Sequence, residues 1–279
     1  MHDREPNATL VDRRDPSDTH AILRIQPDEL PIPAFEPGQF ASLGLESSRI
    51  ETGQGLDGAS KLIAPPRVSI APPRVRIVRR AYSIASSPRE TDAYELFVAL
   101  VPGGRLTPEL WRLAPGARCW VSPQVHGKFT LSEVPRDRDL VLVATGTGIA
   151  PFVSMLRTYR DGERWRRVAI VHGARRASDL GYAGDLEERV QQDARVSYLP
   201  TLTRENGDSW SGLRGRVQAA LEPEIFRERA GFELDPARCD VFLCGNPAMI
   251  QDVCARLTAR RFTADGPHAR GSLHFERYW

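Results

Sequence analysis

The sequence predicts two domains, an N-terminal antiparallel β-barrel followed by a C-terminal α/β domain with a parallel sheet. From about residue 20 to residue 131, short alternating or apolar runs are separated by Gly and Pro, a pattern typical of antiparallel barrels. From residue 139 onward, strand-like runs alternate with helix-like stretches, which favours a parallel sheet with crossover helices. The polar stretch over residues 132–138 separates the two patterns, and 279 residues are enough for two hydrophobic cores.

The expected elements follow in chain order. The barrel strands are predicted at HAILRIQ, GQFASLGL, RIVRRAYSIA, YELFVALV, ARCWVS and GKFTL. The strands of the parallel sheet are predicted at DLVLVAT, RVAIVHGA, RVSYLPTLT and DVFLCG, and its helices at PFVSMLRTYR, DLEERVQQD, RGRVQAAL and PAMIQDVCARLTARR. The resulting organisation is a flexible tail over 1–17, a barrel domain over 18–135 with an inserted loop at about 48–76, and a second domain over 136–279.

Composition excludes several classes of protein. Lys and Arg total 38 against 36 Asp and Glu, so the formal charge of +2 provides no global attraction to nucleic acid or membranes. We find no apolar run of the roughly 20 residues that span a bilayer, and no signal-peptide pattern at the start. The expectation is a cytoplasmic protein without membrane insertion. The spacing of the four cysteines, Cys119, Cys239, Cys244 and Cys254, predicts no metal or iron–sulfur site.

A phosphate-binding turn is predicted where the first strand of the parallel sheet ends. The strand runs directly into Gly146-Thr147-Gly148, and Pro151 follows in the first turn of a helix. Glycines allow the backbone to approach a pyrophosphate, whose charge is favoured by the amides at the start of a helix. A tight turn without a ligand stays open as the alternative, because the spacing is G-x-G-x-x-P rather than G-x-G-x-x-G.

Arginines follow the neighbouring strands, where a dinucleotide would lie. The second strand of the sheet ends in Arg175 and Arg176, the third ends with Thr203 and Arg204, and Arg216 precedes the next helix. An enzyme that uses NAD usually has an acidic residue at the end of the second strand, which binds the ribose hydroxyls. Guanidinium groups suit a 2′-phosphate instead, so these positions favour NADPH over NADH.

The run Arg80-Ala81-Tyr82-Ser83, followed by IASSP, resembles the R-x-Y-S flavin motif of the ferredoxin–NADP reductase superfamily. The resemblance implies that Arg80 pairs with the FAD pyrophosphate, that Tyr82 packs on the isoalloxazine, and that the Ser83 hydroxyl lies near flavin N5. The chemistry is consistent, because a guanidinium neutralises phosphates and an aromatic ring stacks on the flavin.

This resemblance extends over nearly the whole chain from about residue 20 and is closest to the bacterial ferredoxin/flavodoxin–NADP reductases. It implies that FAD is bound by Arg80, Ala81, Tyr82, Ser83, Val98, Leu100, Gly104, Arg105, Leu106, Thr107, Thr147, Tyr278 and Trp279. It implies that NADP(H) is bound by Gly146, Gly148, Arg175, Thr203, Arg204, Arg216, Gly245, Asn246 and Pro247.

The C-terminal run GSLHFERYW resembles the tail of bacterial reductases that end in Tyr-Trp. By this resemblance Tyr278 covers the second flavin face, Trp279 stacks on the FAD adenine, and Glu276 lies near Ser83 and Cys244. The implied catalytic residues are Ser83, Cys244, Glu276 and Tyr278. A loosely held terminal pair is the alternative, since chain ends often fray.

The implied function is hydride transfer between NADPH and FAD, with single-electron transfer to or from a ferredoxin or flavodoxin, in a monomeric protein. The reductase component of an oxygenase with a separate carrier, or a non-catalytic flavin-binding redox module, is the alternative. Residues 51–80 carry six Lys or Arg and two Asp or Glu. This basic stretch is either a solvated loop or a rim that, with Arg76 and Arg79, docks an acidic carrier.

Overall fold

The computed structural model describes residues 5–46, 77–159, 164–205, 210–266 and 269–277. These residues form a six-stranded antiparallel sheet and a six-stranded parallel sheet, which confirms the predicted fold class. The predicted insertion at 48–76 lies outside the described residues. None of the helices in the described ranges combines the length and the apolar character needed to cross a membrane.

The antiparallel sheet curls into a barrel with strand order β4-β3-β6-β1-β2-β5. A bridge between Ile84 and Leu96 links the two edge strands. The side chains that point inward, among them Leu10, Leu23 and Leu43, form one buried core. The elements are β1 (Ala8–Ser17), β2 (His20–Pro27), β3 (Phe40–Glu46), β4 (Ile77–Ser83), β5 (Tyr94–Ala99), the short helix α1 (Thr107–Trp111) and β6 (Arg118–Val121).

The parallel sheet has strand order β10-β9-β8-β7-β11-β12. Its central strands β7, β8 and β11 are almost completely buried, because helices cover both faces. Chain order reverses between β7 and β11, and ligands of such sheets bind beyond the carboxyl ends of the strands at that reversal. The elements are β7 (Asp139–Thr145), a 3-10 helix (Gly146–Ile149), α2 (Ala150–Thr158), β8 (Val168–Ala174), a second 3-10 helix (Ala177–Asp179), α3 (Ala183–Gln192), β9 (Val196–Leu202), β10 (Leu213–Arg214), α4 (Val217–Ala220), α5 (Pro223–Ala230), β11 (Cys239–Gly245), α6 (Pro247–Ala259) and β12 (Leu273–Arg277).

Two expectations need correction, and one strand was not predicted. The segment 1–17 is not a flexible tail throughout, because Ala8–Ser17 forms β1, which pairs with both β2 and β6. The run GKFTL does not form a strand: a single bridge joins His126 to Phe40, and Phe129 packs into the core between the two sheets. The run GSLHFERYW contains a strand, since Leu273–Arg277 pairs in parallel with β11.

The barrel and the parallel sheet share one continuous core. The ring of Phe129 packs edge-on against the ring of Phe242, with 5.2 Å between their centroids. Beside this core, Arg157 of α2 donates to the Glu95 carboxylate of the barrel at 2.7 Å and to Asp185 of α3 at 2.7 Å. The two sheets are therefore joined by a packed interface.

Candidate active site

Two neighbouring pockets open where the barrel meets the carboxyl edge of the parallel sheet. The barrel pocket, of about 590 Å³, is lined by β4, the segment after β5 and Glu276 of β12. The sheet pocket, of about 930 Å³, is lined by the ends of the parallel strands and by the β1–β2 turn. Ala99, Val101 and Thr147 line both pockets, so ligands held in the two pockets would meet at these residues.

The barrel pocket combines three guanidinium groups, those of Arg80, Arg105 and Arg277, with apolar and aromatic walls. Arg80 and Tyr82 lie at alternate positions of β4, and Arg105 faces the same space from the segment that precedes α1. Burial raises the pKa of the Tyr82 hydroxyl well above its usual range, so the ring stays neutral. A pyrophosphate suits Arg80 and Arg105, and a planar ring system suits Tyr82, so these residues fit FAD.

A compact turn presents the other side of the barrel pocket. The Thr107 hydroxyl accepts from the Val101 amide at 2.9 Å and donates to the Val101 carbonyl at 3.1 Å. The Gly104 amide donates to the same carbonyl at 2.8 Å. The turn is closed by its own hydrogen bonds, so Gly104, Arg105 and Thr107 line the pocket in fixed positions.

Most of the FAD residues implied by the resemblance line the barrel pocket, and the exceptions are specific. Val98 is buried in the barrel core and lines neither pocket. Leu100 lines the sheet pocket rather than the barrel pocket. Tyr278 and Trp279 lie outside the described residues. The residues that line the barrel pocket as expected are Arg80, Ala81, Tyr82, Ser83, Gly104, Arg105, Leu106, Thr107 and Thr147.

The structure brings Ser83, Glu276 and Cys244 together from three strands. Ser83 ends β4, and its hydroxyl donates to Oε2 of Glu276 at 3.3 Å. Glu276 of β12 lies in register with Cys244 of β11. Burial raises the pKa of the Glu276 carboxyl to about 7, and the bond from Ser83 opposes that shift. Cys244 is fully buried and lines neither pocket, so its side chain lies behind the site.

Glycine is required where the ends of β7 and β11 meet. A Cβ at Gly148 would lie 2.3 Å from the Cys244 carbonyl oxygen. Gly245 has φ +131°, and a Cβ there would lie 2.4 Å from Oγ1 of Thr145. The two strand ends therefore approach more closely than any side chain allows, and this contact shapes the floor of the sheet pocket.

Asn246 begins α6 at the same edge. Its side chain accepts from the amides of Ala248 at 2.9 Å and Met249 at 3.3 Å, which caps the helix. Its own amide donates to Oγ1 of Thr145 at 3.0 Å. Asn246 lines the sheet pocket, whereas Pro247, the first residue of the helix, does not.

The four arginines predicted near the ends of the parallel strands divide into two that line the sheet pocket and two that do not. Arg175 and Arg216 line the sheet pocket together with Thr203, at the ends of successive strands. Arg204 and Arg176 line neither pocket. Two guanidinium groups at one end of the pocket fit a phosphate of a dinucleotide. Gly146 and Gly245 line the same pocket, whereas Gly148 supports it from behind.

Sequence reasoning missed two histidines of the site. His172 of β8 is fully buried, and Nε2 donates to the Gly146 carbonyl at 3.0 Å while Nδ1 accepts from the Tyr198 hydroxyl at 3.2 Å. Burial lowers the pKa of His172 to about 4, so it fixes the turn as a neutral ring. His20 lines the sheet pocket from the barrel. In the sequence, His172 stands out as the single histidine of the apolar run RVAIVHGA. No comparable signal marks His20.

The sequence is similar to those of known proteins. The model of the oxidoreductase NAD-binding domain matches residues 142–255. A flavodoxin/ferredoxin–NADP reductase of Escherichia coli is 32% identical over 253 residues, covering 89% of this chain and 90% of that protein. Ferredoxin–NADP reductase A of Sorangium cellulosum is 38% identical over 192 residues, covering 66% of this chain and 67% of that protein.

The fold is also found among solved structures. A ferredoxin NADP⁺ reductase from Neisseria gonorrhoeae, solved with bound FAD and NADP, superposes with a TM-score of 0.79 at 21% identity. That comparison covers 98% of each chain.

Proposed function

Because the chain belongs to the ferredoxin/flavodoxin–NADP reductase family, we propose that it is an NADPH-dependent FAD oxidoreductase that exchanges single electrons with ferredoxin or flavodoxin. The observation that carries the proposal is the junction of the two pockets at Ala99, Val101 and Thr147, beside the hydrogen-bonded pair Ser83 and Glu276. Hydride transfer requires the two cofactors in contact, and this junction is where two dinucleotides would meet.

We propose that the barrel pocket holds FAD. Arg80 and Arg105 would bind the pyrophosphate, and the ring of Tyr82 would pack against the isoalloxazine. When bound, FAD supplies the capacity to accept a hydride and release electrons singly. The proposal for Tyr278 and Trp279 as aromatic covers of FAD stands on the sequence resemblance alone.

We propose that the sheet pocket holds NADP(H). The turn at Gly146 and Thr147 would bind the pyrophosphate, and Arg175, Thr203 and Arg216 would bind the 2′-phosphate. Asn246 and Gly245 would lie beneath the nicotinamide end, next to the barrel pocket. Arg204 and Pro247, which the resemblance also assigns to NADP(H), do not line this pocket.

The pair Ser83 and Glu276 is suited to handle a proton at the junction. When Glu276 is ionised, the Ser83 hydroxyl donates to it and its hydrogen points away from the pocket. When Glu276 is protonated, the carboxyl can donate to Ser83 Oγ, which frees the serine hydrogen to point into the pocket. With a pKa of about 7, Glu276 changes between these states near neutral pH.

We expect Glu276→Gln to remove a pH dependence centred near neutrality. In the unmodified protein the rate of NADPH oxidation should fall as pH rises through about 7, because an ionised Glu276 would place negative charge beside a flavin that gains negative charge when it accepts a hydride. The amide of glutamine can hold the serine but cannot titrate. Pre-steady-state rates across about pH 5.5 to 8.5 measure both profiles, and identical profiles would show that Glu276 is not the titrating group.

We propose that an acidic carrier docks at the exposed edge of the barrel pocket. Arg80 lines this pocket, and the exposed Arg79 beside it lies over the Trp120 ring at 5.2 Å. Local positive charge favours an acidic partner. Arg76 and the basic insertion, the other candidates from the sequence, lie outside the described residues. Reduction of ferredoxin and flavodoxin, compared with a small dye, tests the partner: activity with the dye alone would exclude both carriers.

We propose two domains that meet near residue 135, the first beginning with β1 rather than at residue 18. We further propose that the protein acts as a monomer in the cytoplasm, and light scattering of the purified protein tests the oligomeric state.

A further inference from the structure

The β1–β2 turn of the barrel reaches across to the sheet pocket. Thr19 and His20 of this turn line that pocket together with Gly146 and Arg175 of the parallel sheet. The ring of His20 also packs against the ring of Phe97, with 5.5 Å between the centroids. Phe97 lines the barrel pocket. His20 is therefore a residue of one domain placed on the wall of the nucleotide site of the other.

Asp179 holds the ring of His20. Oδ1 of Asp179 lies 3.3 Å from Nδ1 of His20 and accepts from the Ser17 hydroxyl at 3.0 Å, while Oδ2 accepts from the Arg176 amide at 3.2 Å. Nδ1 also lies 3.1 Å from the Thr19 hydroxyl and 3.2 Å from the Ser17 hydroxyl. A carboxylate oxygen only accepts, so a hydrogen on Nδ1 is donated to Asp179. Asp179 is 7% exposed and belongs to the 3-10 helix after β8, so the pair ties the barrel turn to the sheet.

The other ring nitrogen of His20 faces the phosphate-binding turn. A Cβ built on Gly146 would lie 4.0 Å from Nε2 of His20. Within the described residues, Nε2 has no hydrogen-bond partner. A ring held at one nitrogen and open at the other, beside a glycine turn, presents a ligand atom to whatever occupies the turn.

We propose that His20 binds the pyrophosphate of NADP(H) through Nε2, and that Asp179 is the residue that positions the ring. This inference rests on the proposed NADP(H) site and adds to it a ligand supplied by the barrel domain. It also gives a physical reason for the domain contact at the β1–β2 turn: nucleotide binding requires that contact to be intact.

The charges around His20 set the direction of a pH effect. Burial lowers the pKa of His20, Asp179 opposes that shift, and Arg175 adds to it. His172, beneath the turn, is neutral, and Phe97 and Gly146 bring no charge. A bound pyrophosphate places negative charge at Nε2 and favours the protonated ring. Binding should therefore take up a proton, and the contribution of His20 should be larger at low pH.

The test is the dissociation constant of NADP⁺ measured by calorimetry on the FAD-loaded protein. We expect His20→Leu to weaken NADP⁺ about tenfold, as for loss of a hydrogen bond to a charged group. The dissociation constant of 2′-AMP, which carries the 2′-phosphate but no pyrophosphate, should change by less than about twofold in this variant. The exposed His126, which lines neither pocket, provides the matched control His126→Leu, with no expected change.

The 2′-phosphate itself titrates near pH 6. The NADP⁺ dissociation constant of His20→Leu is therefore divided by that of the unmodified protein at each pH. That ratio should be larger at about pH 6 than at about pH 8. An unchanged NADP⁺ constant in His20→Leu, or an equal loss for 2′-AMP, would overturn the proposal. If the unmodified protein bound neither nucleotide, the NADP(H) site itself would be wrong, which is a distinct result.

A double-mutant cycle tests the role of Asp179. Asp179→Asn retains an acceptor for Ser17 and Nδ1 but removes the charge. This substitution should weaken NADP⁺ binding about threefold when His20 is present. In the His20→Leu background it should leave NADP⁺ binding unchanged or make it tighter. The same change in both backgrounds would show that Asp179 does not act through His20.

Discussion

Replacing Arg175 with leucine is expected to lower kcat/KM for NADPH about 100-fold and leave that for NADH almost unchanged. Arg175 lines the sheet pocket at the end of β8, where the 2′-phosphate would lie. Two charge-assisted hydrogen bonds together contribute about 3 kcal/mol, which corresponds to this factor. NADH has no 2′-phosphate, so its kcat/KM should not depend on Arg175. Steady-state kinetics with the two nucleotides measure the discrimination directly.

The neighbouring residue provides the matched control. Arg176 has the same charge and is also exposed, but it does not line the pocket. We expect Arg176→Leu to change the preference for NADPH by less than about threefold. If both variants lost the preference equally, the net positive charge of the region, rather than a contact from Arg175, would be responsible.

Replacing Gly245 with alanine is expected to lower the free energy of unfolding by about 3 kcal/mol and to abolish NADP⁺ binding. The φ of +131° is unfavourable for any residue with a Cβ, and that Cβ would meet the side chain and backbone of Thr145. Relief requires β7 and β11 to separate, which would displace Asn246 and the turn at Gly146. Chemical denaturation and calorimetric titration measure the two effects.

Gly184 provides the control for the glycine substitution. It lies in α3, and a Cβ built there has no neighbour within 4 Å. Gly184→Ala should leave nucleotide binding intact and change stability by no more than about 1 kcal/mol, in the stabilising direction. Nucleotide binding retained at full affinity in Gly245→Ala would contradict the close-contact explanation.

The sequence was sufficient for the fold and for the parts of the site that lie close together in the chain. The alternation of strands and helices predicted the parallel sheet, and the motif at Arg80 to Ser83 predicted one wall of the barrel pocket. Strand β1 was missed because only its first residues alternate: Ala8 and Leu10 are buried, while most of the following positions are exposed or half-buried. A charged, exposed strand resembles a tail in sequence.

Contacts between distant residues could not be predicted from the pattern. His20 and Asp179 lie 159 positions apart, and nothing in either local sequence marks the pair. Ser83 and Glu276 lie 193 positions apart, and only the family resemblance placed them together. The distinction between Arg175 and Arg176 also needed the structure, because adjacent residues after a strand end face different directions.

The most direct measurement of the central claim is anaerobic stopped-flow absorbance of the purified protein at the flavin band, with NADPH and NADH mixed in separate experiments. Fast bleaching by NADPH and bleaching by NADH slower by about 100-fold is the predicted result. A flavin that neither nucleotide reduces, or that both reduce at the same rate, would contradict the account.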